Sequence, residues 1–271
     1  MAVSSEIFHP SMLAGRVALV TGGGTGLGKA SARELLACGA SVVIAGRRED
    51  VLREAAAELG ESCSFVAGDI RSPEGAAAIV AACGDRVDVL VNNAGGQYFV
   101  PAESIALKGW NAVWRLNVGG TMTMIRAAQP VLSPDAVVMN VTFSPHHGLP
   151  GMTHSGAARA AVEALTSELA AELDPVTVVA LAAGHFRTEA IKKYPAGIAD
   201  AAARTVPLQR LGEEEEHAWL VALLASPLGR CFSGTVVTLD GARDNWYGPW
   251  PPPGLVGEGG EVPTEERRAG R

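Results

Sequence analysis

Short apolar segments alternate along the chain with longer segments in which apolar residues recur every three or four positions. The short segments, rich in Val, Ile, Leu and Ala, are typical of buried strands, and the longer ones of amphipathic helices. The predicted strands are residues 16–20, 41–45, 63–67, 87–91, 136–141, 176–181 and 235–239. Apolar strands separated by helices favour a parallel sheet covered on both faces, so we predict an α/β fold of about seven strands.

Helical periodicity fills the intervals between these strands. The predicted helices are residues 29–38, 49–59, a segment beginning near 73, 108–129, 153–173 and 213–224. Right-handed crossovers then give a Rossmann-type doubly wound sheet, and we expect it to form a single domain over residues 14–241. Residues 1–13 are a predicted lead-in. Residues 242–271 are a predicted tail whose aromatic first half packs on this or a neighbouring subunit and whose Pro- and Gly-rich remainder is typical of disorder.

Composition narrows the class of protein. The chain has 271 residues, 48% of them hydrophobic, and a net charge of −7, which argues against a nucleic-acid partner. Its four cysteines show no paired spacing, as is typical of a reducing cytoplasm rather than a disulfide or metal framework. Neither a secretory leader pattern nor an apolar run of the roughly 20 residues that a membrane span needs is present. We therefore expect a cytoplasmic protein without a membrane partner.

A glycine-rich turn follows the first predicted strand and opens the first predicted helix. Residues 21–28 read Thr-Gly-Gly-Gly-Thr-Gly-Leu-Gly. Glycines let the backbone approach a pyrophosphate closely, and the unpaired N–H groups and dipole of the helix start attract its charge. The sequence predicts a dinucleotide site, with the cofactor held by Gly22, Gly24, Thr25, Gly26 and Leu27. A tight turn that binds nothing is the alternative.

The end of the second predicted strand indicates which dinucleotide binds. An acidic residue about 20 positions after the glycine turn would grip the ribose 2′-hydroxyl of NAD. This chain instead has Arg47 and Arg48, whose guanidiniums suit a 2′-phosphate. We therefore predict NADP(H), with NAD(H) left open. Asp69 and Ile70, after the third strand, are expected beside the adenine, unless Asp69 merely caps a helix.

Two further motifs complete a resemblance to a known family. Residues 92–95 read Asn-Asn-Ala-Gly after the fourth strand, and Asn117 lies in a long predicted helix. With the glycine turn, they resemble the short-chain dehydrogenase/reductase family over about residues 14–241. The resemblance implies that Asn93, Ala94 and Gly95 line the cofactor and that Asn117 holds a helix bend and a water in the proton path.

The catalytic positions depart from the common family pattern of Ser followed by Tyr-x-x-x-Lys. By resemblance, Thr142 stands at the Ser position, Ser155 at the Tyr position and Arg159 at the Lys position. The segment 154–159 resembles peroxisomal-type trans-2-enoyl-CoA reductases and, more loosely, 2,4-dienoyl-CoA reductases. This implies NADPH-dependent reduction of an acyl-CoA thioester with a 2,3 double bond.

Chemistry supports conjugate reduction over carbonyl reduction. Serine is a poor acid near neutral pH and arginine scarcely releases a proton, so protonation of an alkoxide is impaired. The hydroxyls of Thr142 and Ser155 can still stabilise an enolate oxygen. The α-carbon could take its proton from water or from a histidine. His154 is the nearest candidate in sequence, with two further histidines, residues 146 and 147, in the preceding loop, and an ordinary polar residue is the alternative for His154.

The segment after the sixth strand resembles the family's Pro-Gly segment, with Ala183 in place of the proline. The resemblance implies that Gly184, Phe186 and Thr188 reach the nicotinamide carboxamide and the phosphates. Residues 189–206 are expected to form a mobile cover over the substrate. Three of its basic residues could meet acyl-CoA phosphates, although a solvated helix face also explains them: Lys192, Lys193 and Arg204.

Three functions remain open at this point. The first is an NADPH-dependent enoyl-CoA reductase, and the second is an alcohol dehydrogenase or ketoreductase acting on a terpenoid, steroid or polyketide intermediate. The third is an NADP(H)-binding protein with impaired catalysis. Family resemblance also implies a homotetramer or homodimer formed through the helices predicted at 108–129 and 153–173.

Overall fold

A computed structural model describes residues 4–144, 146–189 and 197–245, in which seven parallel strands form one sheet. The strands are β1 (Val17–Thr21), β2 (Ser41–Gly46), β3 (Cys63–Ala67), β4 (Val87–Asn92), β5 (Leu132–Phe143), β6 (Thr177–Ala183) and β7 (Val236–Leu239). Their order across the sheet is β3-β2-β1-β4-β5-β6-β7. The predicted doubly wound parallel sheet is confirmed.

Helices connect successive strands. They are α1 (Gly26–Ala37), α2 (Glu49–Leu59), α3 (Pro73–Ala81), α4 (Leu107–Trp114), α5 (Gly120–Ala128), α6 (Thr153–Glu172), α7 (Ile198–Arg204) and α8 (Glu214–Ala225). Local sequence fixes several of their starts. Ser72 caps α3 by accepting a hydrogen bond from the Gly75 N–H at 3.0 Å, and a capping box between Glu213 and Glu216 opens α8.

The helix predicted over residues 108–129 is interrupted at its centre. A π-helical stretch, Arg115–Gly119, joins α4 to α5. Its middle residue, Asn117, donates from Nδ2 to the Val113 carbonyl at 2.8 Å and to the Gly96 carbonyl at 2.9 Å. The side chain thus ties a neighbouring loop to the helix where the backbone ladder widens, a feature that frequently marks functional sites.

Two apolar clusters cover the two faces of the sheet. One is formed with α1, α2 and α8, and the other with α3, α5 and α6. Fully buried side chains such as Leu35 and Val221 on one face, and Ile79 and Met124 on the other, fill the space between layers. No helix in the described ranges is long and apolar enough to cross a membrane.

The segment predicted as a mobile cover contains one described helix, α7, beginning after Gly197. Residues 190–196, including Lys192 and Lys193, lie outside the described residues, as do the tail residues 246–271. Arg204 ends α7 with an exposed side chain.

Candidate active site

Strand order reverses between β1 and β4, and this reversal opens a crevice at the carboxyl ends of the strands. The glycine turn, the Asn-Asn-Ala-Gly segment, the end of β5 and the segment after β6 all lie along this edge of the sheet. The parallel sheet therefore brings together most of the residues that were predicted separately.

The glycine turn has the close approach expected of a phosphate cradle. Gly22 and Gly26 have φ angles of +68° and +53°, in the left-handed region that favours glycine. A Cβ atom on Gly28 would lie 2.4 Å from the Gly22 carbonyl oxygen, so helix α1 can pack this close to the turn only with glycine there. Gly24 and Leu27 are half-buried, and the exposed Thr25 sits at the N-cap of α1.

Thr21, at the end of β1, links the turn to the Asn-Asn-Ala-Gly segment. Its hydroxyl oxygen accepts hydrogen bonds from the backbone N–H groups of Asn93 at 3.1 Å and Ala94 at 3.0 Å. The Asn93 side chain in turn donates to the Thr21 carbonyl at 2.9 Å. Sequence reasoning missed this role, although the position of Thr21 as the last strand residue before the glycines was a usable signal.

Two arginines and an aspartate lie where the adenosine was predicted, after β2 and β3. Arg47 and Arg48 follow β2 and are exposed. The Asp69 carboxylate is paired with the guanidinium of Arg71, which holds the pKa of Asp69 down to about 2. Ser72 rather than Asp69 caps α3, so the capping role considered for Asp69 is wrong.

Ile70 has a structural contact in addition to its predicted place beside the adenine. It is buried, and a Cβ atom on Gly120 would lie 2.6 Å from its Cδ1 atom. Ile70 therefore packs directly on the start of α5.

A partly buried guanidinium occupies the centre of the candidate site. Arg159 Nη1 donates to the Val141 carbonyl at 2.7 Å. A Cβ atom on Gly95 would lie 2.5 Å from Arg159 Nη2 and 2.8 Å from Asn117 Oδ1, so this glycine keeps the space between them. Desolvation lowers the pKa of Arg159 to about 10, partly opposed by the carboxylate of Glu163. The group is still a cation at neutral pH.

Three side chains at intervals of four residues share one face of α6: Ser155, Arg159 and Glu163. The Thr142 hydroxyl, from the end of β5, donates to Glu163 Oε1 at 2.7 Å. The Ser155 hydroxyl is buried and has no hydrogen-bond partner within the described part of the chain. Glu163 was not predicted, yet its spacing from Arg159 could have indicated it.

A histidine from the loop after β5 joins this cluster. His146 Nε2 lies 2.9 Å from Glu163 Oε1, and its Nδ1 contacts the Asp244 carboxylate. Asp244 also accepts a bond from the His146 backbone N–H at 2.6 Å. Although burial alone favours a neutral ring, the two carboxylates hold the pKa of His146 above its ordinary value.

His154, the predicted proton source, has a different setting. Its ring is fully buried and packs on Tyr98 with ring centroids 4.4 Å apart. Neither ring nitrogen has a partner among the described residues, and desolvation lowers its pKa. A neutral ring of this kind is a poorer acid than His146, so the geometry favours His146 for that role.

The segment after β6 returns to the glycine turn. A Cβ atom on Gly184 would lie 2.6 Å from the Asp240 Cα atom, so only glycine fits between β6 and the end of β7. Phe186 is buried against the edge of the His217 ring, with centroids 5.8 Å apart. Thr188 lies beside the turn, its Cβ atom 3.9 Å from where a Gly26 Cβ would be. Predicted cofactor residues that are far apart in sequence, Gly26 and Thr188, therefore lie close together.

This fold and glycine-rich crevice define the class of dinucleotide-binding α/β proteins. The chain matches a family model described as enoyl-(acyl carrier protein) reductase over residues 22–242. A peroxisomal 2,4-dienoyl-CoA reductase ((3E)-enoyl-CoA-producing) of Danio rerio is 33% identical over 255 residues, 88% of this chain and 84% of that protein.

A second relative and a solved structure are similar to this chain over most of its length. A rhamnolipids biosynthesis 3-oxoacyl-(acyl-carrier-protein) reductase of Pseudomonas aeruginosa is 33% identical, over 86% of this chain and 98% of that protein. The solved Pseudomonas aeruginosa RhlG/NADP active-site complex matches with a TM-score of 0.81 and 32% identity, over 88% of this chain and 100% of that chain. The chain belongs to the short-chain dehydrogenase/reductase family and is an oxidoreductase of that type.

Proposed function

We propose that this protein is an NADPH-dependent reductase of the carbon–carbon double bond in an enoyl-CoA or similar α,β-unsaturated thioester. The observation that carries the proposal is the character of the catalytic face. The buried hydroxyls of Thr142 and Ser155 and the partly buried guanidinium of Arg159 are present, and by resemblance a serine stands at the Tyr position of the family. Such groups stabilise a developing negative charge better than they release a proton.

The residues at the crevice fit an NADP(H) molecule. The glycine turn leaves open the space that a Cβ atom would fill, and the start of α1 offers unpaired N–H donors to a pyrophosphate. Arg47 and Arg48 would hold a 2′-phosphate, with Asp69 and Ile70 beside the adenine. Further residues proposed to contact the cofactor are Asn93, Ala94, Gly95, Arg159, Gly184, Phe186 and Thr188. A relative of known structure is an NADP complex.

When bound, the dihydronicotinamide supplies a hydride to the β-carbon of the substrate. Arg159 anchors itself to the Val141 carbonyl and presents fixed positive charge beside Gly95, where it would hold the nicotinamide ribose. Asn117 keeps the Gly96 backbone and the π-helical turn in place, so the floor of this pocket is rigid.

The thioester oxygen gains negative charge as the hydride arrives. Ser155 Oγ is a buried donor without a described partner, and we assign it the bond to this oxygen. Thr142 is the second hydroxyl on that side, held in place by its bond to Glu163. The buried His154 ring, with the Tyr98 ring packed on it, would exclude water from the acyl chain next to Ser155.

A substrate panel with NADPH absorbance as the readout tests the proposal. The panel contains trans-2-enoyl-CoA and 2,4-dienoyl-CoA esters of several chain lengths, and 3-ketoacyl thioesters. We expect turnover of the unsaturated esters, and a Ser155→Ala variant slowed by about 10²-fold, the cost of removing one oxyanion donor. If no unsaturated ester is reduced, the proposal is wrong.

The second candidate is a ketoreductase, favoured by the 33% identity to the 3-oxoacyl-(acyl-carrier-protein) reductase. It predicts turnover of ketones by the same panel. The double variant Ser155→Tyr with Arg159→Lys would then raise the rate, whereas it would lower the rate of an enoyl reductase. Tight NADPH binding without turnover of any member would indicate a catalytically impaired binding protein.

A further inference from the structure

The end of β5, helix α6 and the segment after β7 meet in a chain of hydrogen-bonding groups that reaches the protein surface. It runs from the Thr142 hydroxyl to Glu163 at 2.7 Å and from Glu163 to His146 Nε2 at 2.9 Å, and it ends with Asp244 on the other ring nitrogen. The Thr142 end is 3% exposed, whereas one third of the His146 side chain is exposed. The chain thus connects the buried catalytic face with solvent.

We propose that Thr142, Glu163 and His146 form the path that delivers the substrate proton, in place of the tyrosine and lysine that the family pattern uses. This inference rests on the proposed function. Thr142 is the residue that touches the substrate, while Glu163 and His146 are positioning residues that act through it. Asp244 orients the ring and supports its charge.

The proton balance closes without another reactant. As the β-carbon receives the hydride, the electron pair of the double bond forms the enolate. The His146 Nε2–H bond breaks and its proton passes to the Glu163 carboxylate, which passes it on to the Thr142 oxygen while the Thr142 O–H bond breaks toward the α-carbon of this enolate. Thr142 is thus reprotonated as it donates. Neutral His146 then takes one proton from water, so each turnover consumes one NADPH and one proton from solution.

Other charged groups around the ring are compatible with this role. Glu163 faces it from α6 and Asp244 from the segment after β7, so two carboxylates favour the imidazolium. Asp240 fixes this second partner, accepting from the Asp244 backbone N–H at 2.8 Å and from Ser144 Oγ at 2.5 Å. The nearby cations are Arg159, which interacts with Glu163, and Arg243, which is next to Asp244 in sequence. His147 is the adjacent titratable residue.

A metal centre is not an alternative explanation for the cluster. Within residues 4–144, 146–189 and 197–245, no group of three or more His, Cys, Asp or Glu side chains is placed to hold a metal ion. The arrangement is linear, with one carboxylate on each ring nitrogen.

Histidine NMR titration of the purified chain tests the cluster without relying on turnover. We expect the His146 ring to titrate above its ordinary value, and Glu163→Gln and Asp244→Asn each to lower its pKa. His9→Gln, at a histidine whose ring bonds to nearby Ser11, is the matched control and leaves the His146 titration unchanged. A His146 pKa that does not respond to Glu163→Gln overturns the proposal.

Kinetics on a substrate reduced in the panel test the proton path. In the wild type the maximal rate falls as pH rises through the His146 pKa, and Asp244→Asn moves this fall to lower pH. His146→Gln removes it and slows turnover by on the order of tenfold to a hundredfold, while Thr142→Ser retains activity that Thr142→Val loses. An unchanged pH profile in His146→Gln overturns the path. If the wild type turns over no acyl-CoA ester while the His146 titration is as expected, the proposed function is overturned instead.

Discussion

We predict that two side chains at the end of β2, Arg47 and Arg48, set the nucleotide preference. Replacing Arg47 and Arg48 together by Ala removes the charge-assisted bonds proposed for a 2′-phosphate. Each such bond contributes on the order of 1.5 kcal/mol, so the Kd for NADPH should rise about tenfold or more while that for NADH stays the same. Fluorescence titration of both cofactors measures this.

The control for this experiment is Arg53→Ala. Arg53 is also exposed, on α2, but it pairs with Glu49 one turn away. Arg53→Ala should leave the affinities for NADPH and NADH unchanged. If the double variant weakens the binding of NADH and NADPH equally, these arginines do not contact the 2′-phosphate.

The His146 ring also links stability to pH. Its pKa is raised above 6.5 in the folded chain by the side chains of Asp244 and Glu163. The stabilisation is therefore fully present below the unfolded value and is lost as pH rises through the folded value. The free energy of unfolding of the wild type minus that of His146→Gln should shrink over this window, measured by urea unfolding between about pH 5.5 and about pH 9. A constant or growing difference would contradict the raised pKa.

At the scale of elements, the packing of α1 on the glycine turn is a sensitive contact. Gly28→Ala would place a methyl group 2.4 Å from the Gly22 carbonyl oxygen and 2.5 Å from Asn93 Nδ2. Because the helix must move away from the turn, we expect destabilisation of about 2 kcal/mol or more together with weakened NADPH binding. Thermal unfolding with and without NADPH measures both effects.

Gly156→Ala is the opposite case and the matched control. This glycine lies in α6, and its added methyl group would meet nothing within 4 Å. Alanine should therefore stabilise the protein, by roughly 0.5–1 kcal/mol, through its better helix propensity. Destabilisation by both variants to a similar extent would show that the close approach at Gly28 is not the cause.

The π-helical stretch shows how an element responds to one side chain. Apolar periodicity over residues 108–129 predicts an uninterrupted helix, and α4 and α5 follow it at both ends. The interruption coincides with Asn117, whose amide bonds to the helix and to the loop after Asn93 at once. Periodicity reports only which face of a helix is buried, so it cannot show such a competition for backbone hydrogen bonds.

For the whole molecule, we predict a homotetramer or a homodimer formed through α4–α5 and α6. The outer face of α6 carries exposed small residues, Ala160 and Ala164, at an interval of four. A second helix could approach them closely. Light scattering after size exclusion should give a mass at least twice the 28.0 kDa of one chain. A mass equal to one chain would contradict the assembly.

The sequence by itself determined the layered fold and the glycine turn, and it predicted the residues proposed to bind the nucleotide. These features depend on local periodicity and on motifs only a few residues long, so they can be predicted without knowledge of distant contacts. The order of elements then brings the ends of β1, β4, β5 and β6 to one edge. Because Asn93 follows β4 and Thr188 follows β6, both could be predicted to lie near the glycine turn.

Only the tertiary structure decided which groups complete the proposed catalytic face. Glu163 meets Thr142 across 21 positions of sequence, and Asp244 meets His146 across 98. No local pattern sets these distances, because they depend on how α6 and the segment after β7 lie against the end of β5. The burial of a side chain also depends on tertiary contacts that the local sequence does not show. His154 and His146 look alike in sequence, but one is enclosed by Tyr98 and the other is held between two carboxylates.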